Sequence, residues 1–313
     1  MPQVSIVIVC MNRPDILFPC LDSIQAYTTV SYETLVVAYM FSDENLALLR
    51  ERYPWVTVVR SSELRGFAEN NNLALRQAKG EYSFIVNDDT YMQMPVIDRL
   101  VDDFARLPEN AAAVSPRIVF PDGRVQTCGR APWTACRYLR HYLHLVDETR
   151  PTRWSMKEGL FRTWTLNGAC FLARTDAFRK AGWFDERYTF TPEDIAIGHR
   201  FNDMGYTVYA DGDVPITHIA NATASRMEAA IKATRVKGSL IFYAGNNRIK
   251  YVLMASFIWA VEELRVLKYA IAGHKEGHSK LMYETAKNVQ WAVWADKSTK
   301  EIFVELYNRI VRG

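Results

Sequence analysis

The first 120 residues alternate between short apolar runs and amphipathic stretches of helical period. Helical patterns begin at Pro14, around Leu46, at Ala68 and at Pro95, and each lies between two apolar runs. The runs are Val4–Val9, Leu35–Ala38, Val56–Val59, Tyr82–Val86 and Val114–Phe120. Continuous apolar strands separated by helices are typical of parallel strands buried on both faces. The pattern predicts an α/β class with right-handed crossovers.

The pattern changes after residue 120. Residues 121–163 are irregular and rich in aromatic side chains, and a strand-like run follows at Phe171–Ala173. A helix is predicted from Glu193 to about Met204, and a short strand over Thr207–Ala210. After His218 the sequence is almost wholly helical, in two long patterns broken near residues 273–277. We therefore predict an α/β domain over residues 1–225, with halves at about 1–120 and 121–225, and a helical segment over 226–313.

Composition and charge are those of a globular protein with a basic C-terminal part. The chain has 313 residues, of which 49% are apolar and 23% charged, as in an ordinary globular protein. From Arg226 onward 15 Lys and Arg face 8 Asp and Glu, so this part carries a net charge of +7 within an overall +3. No nucleic-acid partner is expected.

Two features concern the compartment. The five cysteines are odd in number and contain no C-x-x-C pair, which favours a reducing environment. The N-terminus predicts a first strand and not a signal peptide, and the longest apolar stretch, Tyr251–Val261, is too short to span a bilayer. We expect a cytoplasmic protein, with the inner face of the membrane as the place of any peripheral contact.

Polar residues follow four of the apolar runs. In α/β sheets ligands bind beyond the carboxyl ends of the strands. The segments at these ends are Cys10–Arg13, Tyr39–Asp43, Arg65–Gly66 and Asn87–Asp89.

Three further features carry chemistry, and each has a plain structural alternative. IVNDDT at residues 85–90 places two adjacent carboxylates after a strand, which suits a hard divalent cation but also suits a turn. Glu193 and Asp194 open a helix, where acids also favour the helix dipole. His218 follows a short apolar run, and a lone histidine is usually only packed.

Taken in order, these segments resemble the family-two glycosyltransferases with the GT-A fold. The resemblance runs from Val4 to about Ser225. It rests on VSIVIVCMNR, RGFAENNNLALRQAKGEYSFIVNDD, WTLNGACFLARTDAFRKAGWFDE and the motif ED-x-x-I-x-x-R-x-x-x-x-G from Glu193 to Gly205. It implies a Rossmann-like, mostly parallel sheet with helices on both faces, followed by a C-terminal helical extension.

The resemblance also assigns roles by position. Asp89 and His218 correspond to metal ligands, and Asp194, with Glu193 beside it, to the general base. Arg200 corresponds to a helper that pairs with a carboxylate or the diphosphate. Residues expected at the nucleotide-sugar are Cys10, Asn12, Arg13, Tyr39, Arg65, Gly66, Asn71, Asn72, Asn87 and Asp88, the last at a ribose or phosphate. Residues expected at the acceptor are Trp164, Asn167, Gly168 and Ala169.

The implied reaction is a single displacement with inversion, assisted by Mn or Mg. A metal neutralises charge on the departing diphosphate, and a carboxylate activates the acceptor hydroxyl. The first choice of donor is dTDP-rhamnose, with UDP-linked hexoses open. The expected acceptor is a cell-surface polysaccharide or lipid-linked saccharide.

The sequence departs from the family pattern at three positions. Tyr39 stands where relatives commonly place an acid that reads the base. Either Tyr39 stacks on the base instead, or Asp43 substitutes for the acid from further along the chain. Asn87 replaces the first acid of D-x-D, and Ala196 stands where many relatives have Asp.

Two other functions share part of this pattern. A sugar nucleotidyltransferase needs a glycine-rich phosphate loop, and Cys10–Asp15 contains no glycine. A GT-A scaffold that binds sugar or organises a complex without catalysis is the remaining alternative.

The helical segment carries a wide apolar stripe. It consists of Ile249, Val252, Leu253, Phe257, Ala260, Val261, Leu264, Leu267 and Ile271, broadened by Met254, Ile258 and Trp259 and flanked by Arg248, Lys250, Arg265 and Lys268. Three partners suit such a stripe: the catalytic domain, a second subunit in a homodimer, or an anionic membrane surface.

Overall fold

The structure, a computed structural model, describes residues 1–146, 154–219, 228–273 and 277–312. Its strands are β1 Val4–Met11, β2 Tyr32–Tyr39, β3 Val56–Ser61, β4 Tyr82–Asn87, β5 Thr90–Tyr91, β6 Ala111–Val119, β7 Val125–Thr127, β8 Leu160–Thr163, β9 Cys170–Arg174 and β10 Thr207–His218. Its helices are α1 Pro14–Tyr27, α2 Asp43–Arg52, α3 Phe67–Leu75, α4 Val96–Phe104, α5 Ala135–Tyr142, α6 Thr175–Lys180, α7 Glu193–Asp203, α8 Glu228–Ala244, α9 Arg248–Ile271, α10 Gly277–Trp294 and α11 Thr299–Arg312.

The predicted α/β alternation of the first 120 residues is confirmed. Strands β3, β2, β1 and β4 are neighbours and run parallel, with Val9 opposite both Val37 and Asn87. Their ends therefore lie at one edge of the sheet, as the strand-end argument requires.

One antiparallel strand interrupts the parallel order. β9 lies between β4 and β6 and runs antiparallel to both, with Val86 opposite Cys170 and Val114 opposite Leu172. The strand at Phe171–Ala173 was predicted, but its place in the sheet was not. Its insertion brings the loop before β9 beside the end of β4.

The region predicted as irregular contains short elements that the apolar pattern does not reveal. β7 pairs with β6, β8 pairs with β10, and α5 lies between them along the chain. β10 extends well past the predicted end at Ala210, because pairing with β6 resumes after an irregularity between Asp211 and Pro215. His218 therefore belongs to β10, opposite Thr90 of β5.

Each face of the sheet has its own core. Val4, Ile6 and Ile8 pack toward α1 and α4 on one face, and Val7 and Val37 pack toward α3 and α6 on the other. This strict alternation is what two buried faces require of a strand.

The described residues of the C-terminal segment form four helices instead of two long ones. α9 ends at Ile271 and α10 begins at Gly277, so the predicted break is confirmed. None of the described helices is long and apolar enough to cross a membrane. The predicted domain boundary between residues 225 and 226 lies outside the described residues.

The helical segment is attached to the sheet domain through α11. Lys300 forms an ion pair of 2.6 Å with Glu69 in the first turn of α3. Thr299 donates to the carbonyl oxygen of Arg187 at 2.7 Å. A third core, with members from α5, α7 and the helical segment, fills the space between them.

Candidate active site

The loop before β9 joins two groups of predicted site residues. The backbone N–H of Asn87 donates to the carbonyl oxygen of Ala169 at 2.9 Å. The backbone N–H of the adjacent Gly168 donates to Oδ2 of Asp194 at 3.2 Å. Consecutive residues of one loop thus hold the end of β4 and the start of α7 side by side.

Asp89 and His218 meet at the end of β4. Oδ1 of Asp89 lies 3.1 Å from Nε2 of His218, and both side chains are largely buried. The backbone supports the approach, since β5 and β10 pair there and the N–H of Ile219 donates to the carbonyl oxygen of Asp89 at 2.9 Å. The side-chain amide of Asn87 lies 3.4 Å from the same Nε2.

Gln126 of β7 contacts the other nitrogen of the His218 ring. Its Oε1 lies 2.6 Å from Nδ1 of His218. A carbonyl oxygen at that distance accepts the Nδ1 proton, which leaves the Nε2 lone pair directed at Asp89. Nothing in the sequence around Gln126 signals this contact, because β7 is only three residues long.

Asp88 is buried against the end of β1. Burial raises its pKa to about 7, while its hydrogen bond with Cys10 works in the opposite direction. Burial also raises the pKa of the Cys10 thiol, so Cys10 remains a thiol next to this carboxyl. Arg13 lies close enough to lower the pKa of Asp88, and its guanidinium binds Asp15 at 2.7 Å.

Several residues predicted at the nucleotide-sugar form hydrogen bonds with neighbouring loops of the chain. Asn12 has a positive φ of 50°, and its Oδ1 accepts from the Ser42 N–H at 3.0 Å and from Asn45 at 2.9 Å. The hydroxyl of Tyr39 accepts from the Arg65 N–H at 3.2 Å. The Tyr39 side chain is only 5% exposed, so it offers no open ring face for the predicted stacking on a base.

Arg65 and Gly66 shape the loop that leads into α3. The Arg65 guanidinium contacts Glu63 at 2.6 Å and the Ser61 hydroxyl at 3.3 Å. A Cβ at Gly66 would lie 2.0 Å from the carbonyl oxygen of Thr189, so only glycine permits this approach. The neighbouring Phe67 N–H donates to that same oxygen at 2.9 Å.

Two of the three asparagines of α3 were predicted at the nucleotide-sugar, and both are buried and face the protein. Asn71 donates to the carbonyl oxygen of Phe67 at 2.9 Å. Asn72 donates to the carbonyl oxygen of Phe184 at 2.9 Å and accepts from the Phe184 N–H at 3.1 Å. Asn72 therefore braces the loop before α7, whereas the bond of Asn71 stays within α3.

Asp194 lies at the first turn of α7. Besides the bond from Gly168, its Oδ1 accepts from the Ile195 N–H at 2.7 Å, and Nη1 of Arg130 lies 4.0 Å from its Oδ2. The side chain is 16% exposed and so stays reachable from the cleft. Arg130 was not predicted, since it lies in the irregular region.

Glu193, next to Asp194, is in a different state. Burial, together with the charge of Asp194, raises its pKa to about 8. Within the described part of the chain, its Oε2 has no hydrogen-bond partner. Glu193 is therefore a neutral carboxyl at neutral pH. Its neighbour Asp194 accepts hydrogen bonds from two backbone N–H groups.

The remaining predicted residues divide into two places. Arg200 donates to Asp185 at 2.9 Å and to the carbonyl oxygen of Ala181 at 2.7 Å, so it pairs with a carboxylate away from Asp194. Trp164 is 40% exposed beside the Arg162 guanidinium. Asn167 stays in the acceptor-side loop, where its Oδ1 accepts from the Ala169 N–H at 2.9 Å.

Two aromatic residues near Asp194 were not predicted. Trp133 and Tyr243 are both 6% exposed and belong to the same core as Ile195. Within the described residues, neither the Trp133 Nε1 nor the Tyr243 hydroxyl has a hydrogen-bond partner. Tyr243 lies on α8, which brings the helical segment to the edge of this site.

Comparison with known proteins gives a family. The model described as "Glycosyl transferase family 2" matches residues 5–180. The O-antigen biosynthesis protein RfbC of Myxococcus xanthus is 29% identical over 234 residues, 74% of this chain but only 18% of that protein. The N-acetylglucosaminyl-diphospho-decaprenol L-rhamnosyltransferase of Mycobacterium tuberculosis (strain CDC 1551 / Oshkosh) is 29% identical over 230 residues, 63% of this chain and 69% of that protein.

Solved structures agree on the fold. GalNAc-T7 with UDP, GalNAc and Mn²⁺ matches 80% of this chain and 53% of that one, with a TM-score of 0.56 and 16% identity. The mannosyltransferase PcManGT of Pyrobaculum calidifontis, in complex with GDP-Man and Mn²⁺, matches 99% of this chain and 87% of that one, with a TM-score of 0.55 and 15% identity. The chain belongs to glycosyltransferase family 2 and has the GT-A fold, as its sequence motifs predict.

Proposed function

We propose that this glycosyltransferase moves one sugar from a nucleotide-sugar to an acceptor hydroxyl with inversion, and that Asp194 is the base. The observation that supports this most is the pair of backbone bonds from Gly168 to Asp194 and from Asn87 to Ala169. Consecutive Cα atoms are about 3.8 Å apart, so these two bonds support the proposal that one sugar reaches both Asp194 and the end of β4.

The donor set at Asp89 and His218 fits a divalent cation such as Mn or Mg. One carboxylate oxygen and one imidazole nitrogen, 3.1 Å apart, suit two neighbouring positions around one ion. Among the described residues there is no group of three His, Cys, Asp or Glu that could hold a metal. The remaining positions would therefore be filled by phosphate oxygens of the donor and by water. When bound, the cation would neutralise charge on the leaving diphosphate.

Asp194 is suited to take the proton of the acceptor hydroxyl. Two backbone N–H groups and Arg130 fix its orientation, while the partial exposure of the carboxylate leaves it open to the acceptor. Glu193 is neutral at neutral pH, so it does not compete as a base.

We take a rhamnosyl donor as the first choice and a UDP-linked hexose as the second. The support is the 29% identity to the L-rhamnosyltransferase, whose name also gives a diphospho-lipid acceptor. A lipid-linked saccharide, or a cell-surface polysaccharide built from it, is accordingly the proposed acceptor.

The test is a transfer assay with a panel of dTDP- and UDP-sugars, Mn²⁺ and a lipid-linked saccharide. Proton NMR of the product reports the anomeric configuration, which should be opposite to that of the donor. A product that keeps the donor configuration would overturn the single-displacement mechanism. The absence of transfer and of donor hydrolysis with every sugar would instead favour a binding scaffold.

A further part of the proposal is that α9 lies on an anionic membrane surface. Its inner face, with Met254, Ala255 and Ile258, is buried in the third core. Its outer face exposes large apolar side chains: Ile249 (75%), Leu253 (66%), Leu264 (69%), Leu267 (50%) and Ile271 (88%). Of the twelve residues of the predicted stripe only Met254 and Ile258 are buried, so packing within the described chain accounts for a small part of it.

The charge near this outer face favours a membrane over a second subunit. Arg248 and Lys250 lie at one end of α9 and Lys268 at the other, in a segment of net charge +7. Basic residues beside exposed apolar ones suit anionic lipids. A helix of 24 residues is roughly 36 Å long and would lie along the surface.

The test uses point variants of the full chain, because α11 is bonded to α3 and a truncation would remove that contact. The double variant Leu253→Gln and Leu264→Gln should lose co-sedimentation with phosphatidylglycerol vesicles, and high salt should weaken the wild type. Leu48→Gln, at an exposed leucine of α2, is the control. Wild-type protein that ignores vesicles but forms a dimer, lost in the double variant, would assign the face to a second subunit.

A further inference from the structure

The segment that leads into α7, residues 187–192, is held from two sides; we name it the base loop, because α7 carries Asp194 in its first turn. On one side lies the start of α3. The Phe67 N–H donates to the carbonyl oxygen of Thr189 at 2.9 Å, and the Gly66 backbone packs against the same oxygen. On the other side lie α8 and α11 of the helical segment.

The hydroxyl of Thr299, at the start of α11, makes three contacts with the base loop. It donates to the carbonyl oxygen of Arg187 at 2.7 Å and accepts from the Thr189 N–H at 3.2 Å. Its oxygen also lies 2.7 Å from the Thr189 hydroxyl. A hydroxyl has one proton and two lone pairs, so the Thr189 hydroxyl is the donor of this third bond. The hydrogen-bonding capacity of the Thr299 hydroxyl is therefore fully used by the base loop.

Both threonines are buried. Thr189 is 0% exposed and Thr299 is 2% exposed. Water does not replace a hydrogen bond that is lost at such a depth, and the groups left behind remain unsatisfied. The position of the base loop therefore depends on the Thr299 hydroxyl.

Two further contacts with the helical segment involve neighbouring residues of the base loop. The Phe190 ring packs edge-on against Phe303 of α11, with the ring centroids 4.8 Å apart. A Cβ at Gly238 of α8 would lie 2.7 Å from the carbonyl oxygen of Thr191, so only glycine permits this approach. The helical segment thus contacts the base loop almost up to the first turn of α7.

We propose that Thr299 is a positioning residue for transfer, and that it holds the base loop so that the Asp194 carboxylate faces the acceptor hydroxyl. This inference rests on Asp194 being the base, as proposed above. A misplacement of about 1 Å at a reacting group can lower a rate by about 10²-fold. The helical segment therefore takes part in the chemical step, apart from the membrane contact proposed for α9.

The test compares the full-length wild type with Thr299→Val, which keeps the shape of the side chain and removes its hydroxyl. We expect kcat of transfer to fall by about 10–100-fold, while donor affinity, measured by titration, stays near that of the wild type. Thr299→Ser keeps the hydroxyl and should retain most of the activity. The start of α11 does not depend on this hydroxyl, because Ser298 accepts from the Glu301 N–H at 3.2 Å.

Thr285→Val is the matched control. Thr285 is buried on α10, and its hydroxyl donates to the carbonyl oxygen of Leu281 in the same helix at 2.6 Å. This variant removes a buried hydroxyl of the helical segment without touching the base loop, so kcat should stay unchanged. An equal loss of kcat in Thr285→Val would overturn the proposal, and so would a wild-type kcat in folded Thr299→Val.

A double variant distinguishes positioning of the base from a general loosening of the fold. In an Asp194→Asn background there is no base to position, so Thr299→Val should lower the residual transfer no further. A further loss in the double variant would overturn the positioning role alone. Full turnover in Asp194→Asn itself would instead refute the proposed function.

A thermal melt shows whether Thr299→Val is folded. If it is not, Thr189→Val takes its place, because it removes only the bond between the two hydroxyls. We expect kcat to fall about fivefold in Thr189→Val, as for the loss of one neutral hydrogen bond. An unchanged kcat in that variant would also overturn the proposal.

Discussion

The donor side and the acceptor side of the cleft differ in how their polar groups are satisfied. On the donor side, Asn12, Tyr39 and Arg65 already have partners in neighbouring loops. On the acceptor side, the described structure leaves Glu193 Oε2, Trp133 Nε1 and the Tyr243 hydroxyl buried without a partner. Such groups cost free energy unless something binds them. The donor side is thus preorganised by the chain itself, whereas the acceptor side keeps unused hydrogen-bonding capacity beside its base.

The largest expected effect is that of Asp194→Asn, which should impair transfer but not binding of the donor. The amide keeps the shape but cannot take a proton, so transfer should fall by about 10²–10⁴-fold. Affinity for the donor, measured by titration, should stay near that of the wild type. Asp203→Asn, at an exposed acid later in α7, should leave both quantities unchanged. Near-normal turnover in Asp194→Asn would remove Asp194 as the base.

The second prediction concerns binding of the metal on the donor side. Asp89→Ala and His218→Ala should each weaken Mn²⁺ binding in the presence of a nucleoside diphosphate, and EDTA should abolish transfer by the wild type. Gln126→Leu should weaken Mn²⁺ binding about 10–100-fold, the usual loss when the partner of a ligating histidine is removed. Electron paramagnetic resonance of Mn²⁺ measures the affinity of the three variants for the ion. Full activity in EDTA would refute the metal site.

A third test uses pH and stability. Below about 4.3, Glu193 is protonated in both the folded and unfolded chain. Between that pH and about 8, the unfolded chain loses the proton while the folded protein keeps it. The free energy of unfolding should therefore decrease as pH rises, by about 1.4 kcal/mol per unit of difference between the two pKa values.

Urea unfolding at pH 5 and pH 8 measures this slope. Glu193→Gln should reduce it, because the amide does not titrate, and Glu44→Gln, at an exposed acid of α2, should leave it as it is. Identical slopes for the wild type and Glu193→Gln would show that Glu193 is ionised in the folded protein.

The smallest expected effect compares two buried tyrosines directly. Tyr39→Phe removes the acceptor of the Arg65 N–H and should lower the free energy of unfolding by about 1 kcal/mol. Tyr243→Phe removes a hydroxyl that has no partner, so stability should stay level or rise. Acceptor KM should rise only in Tyr243→Phe. Equal losses of stability in both variants would contradict the contrast between the sides.

Elements with a local apolar pattern could be predicted from the sequence, and elements that depend on distant pairing could not. β1 to β4 and their helices were predicted because each is encoded by a local apolar pattern, and the strand ends then gather Cys10, Tyr39 and Asp88 at one edge. The position of β9 was not predicted, because pairing between distant segments leaves no local pattern. The short strands β7 and β8 have too few residues to show a period.

The site shows the same limit. Asp89 and Asp194 come from motifs and His218 from its position after an apolar run, and the structure brings Asp89 to His218 and Asp194 to the adjoining loop. Gln126, Arg130 and Tyr243 carry no motif and reach the cleft only through tertiary contacts. Asn71 and Gly66 were assigned to the nucleotide, yet their described contacts are with Phe67 and Thr189, which a sequence pattern cannot distinguish from ligand contacts.

The ion pair between Lys300 and Glu69 joins residues 231 positions apart. During synthesis the N-terminal strands emerge and pair first, since chains fold from the N-terminus as domains. The contact of the first turn of α3 with α11 must nevertheless wait, because Lys300 is synthesised 231 residues after Glu69. Contacts of such separation also form slowly, because a long loop must close before they are made. Each new molecule therefore holds its donor loop without the contact that fastens α11 beside it until the chain has been made as far as α11.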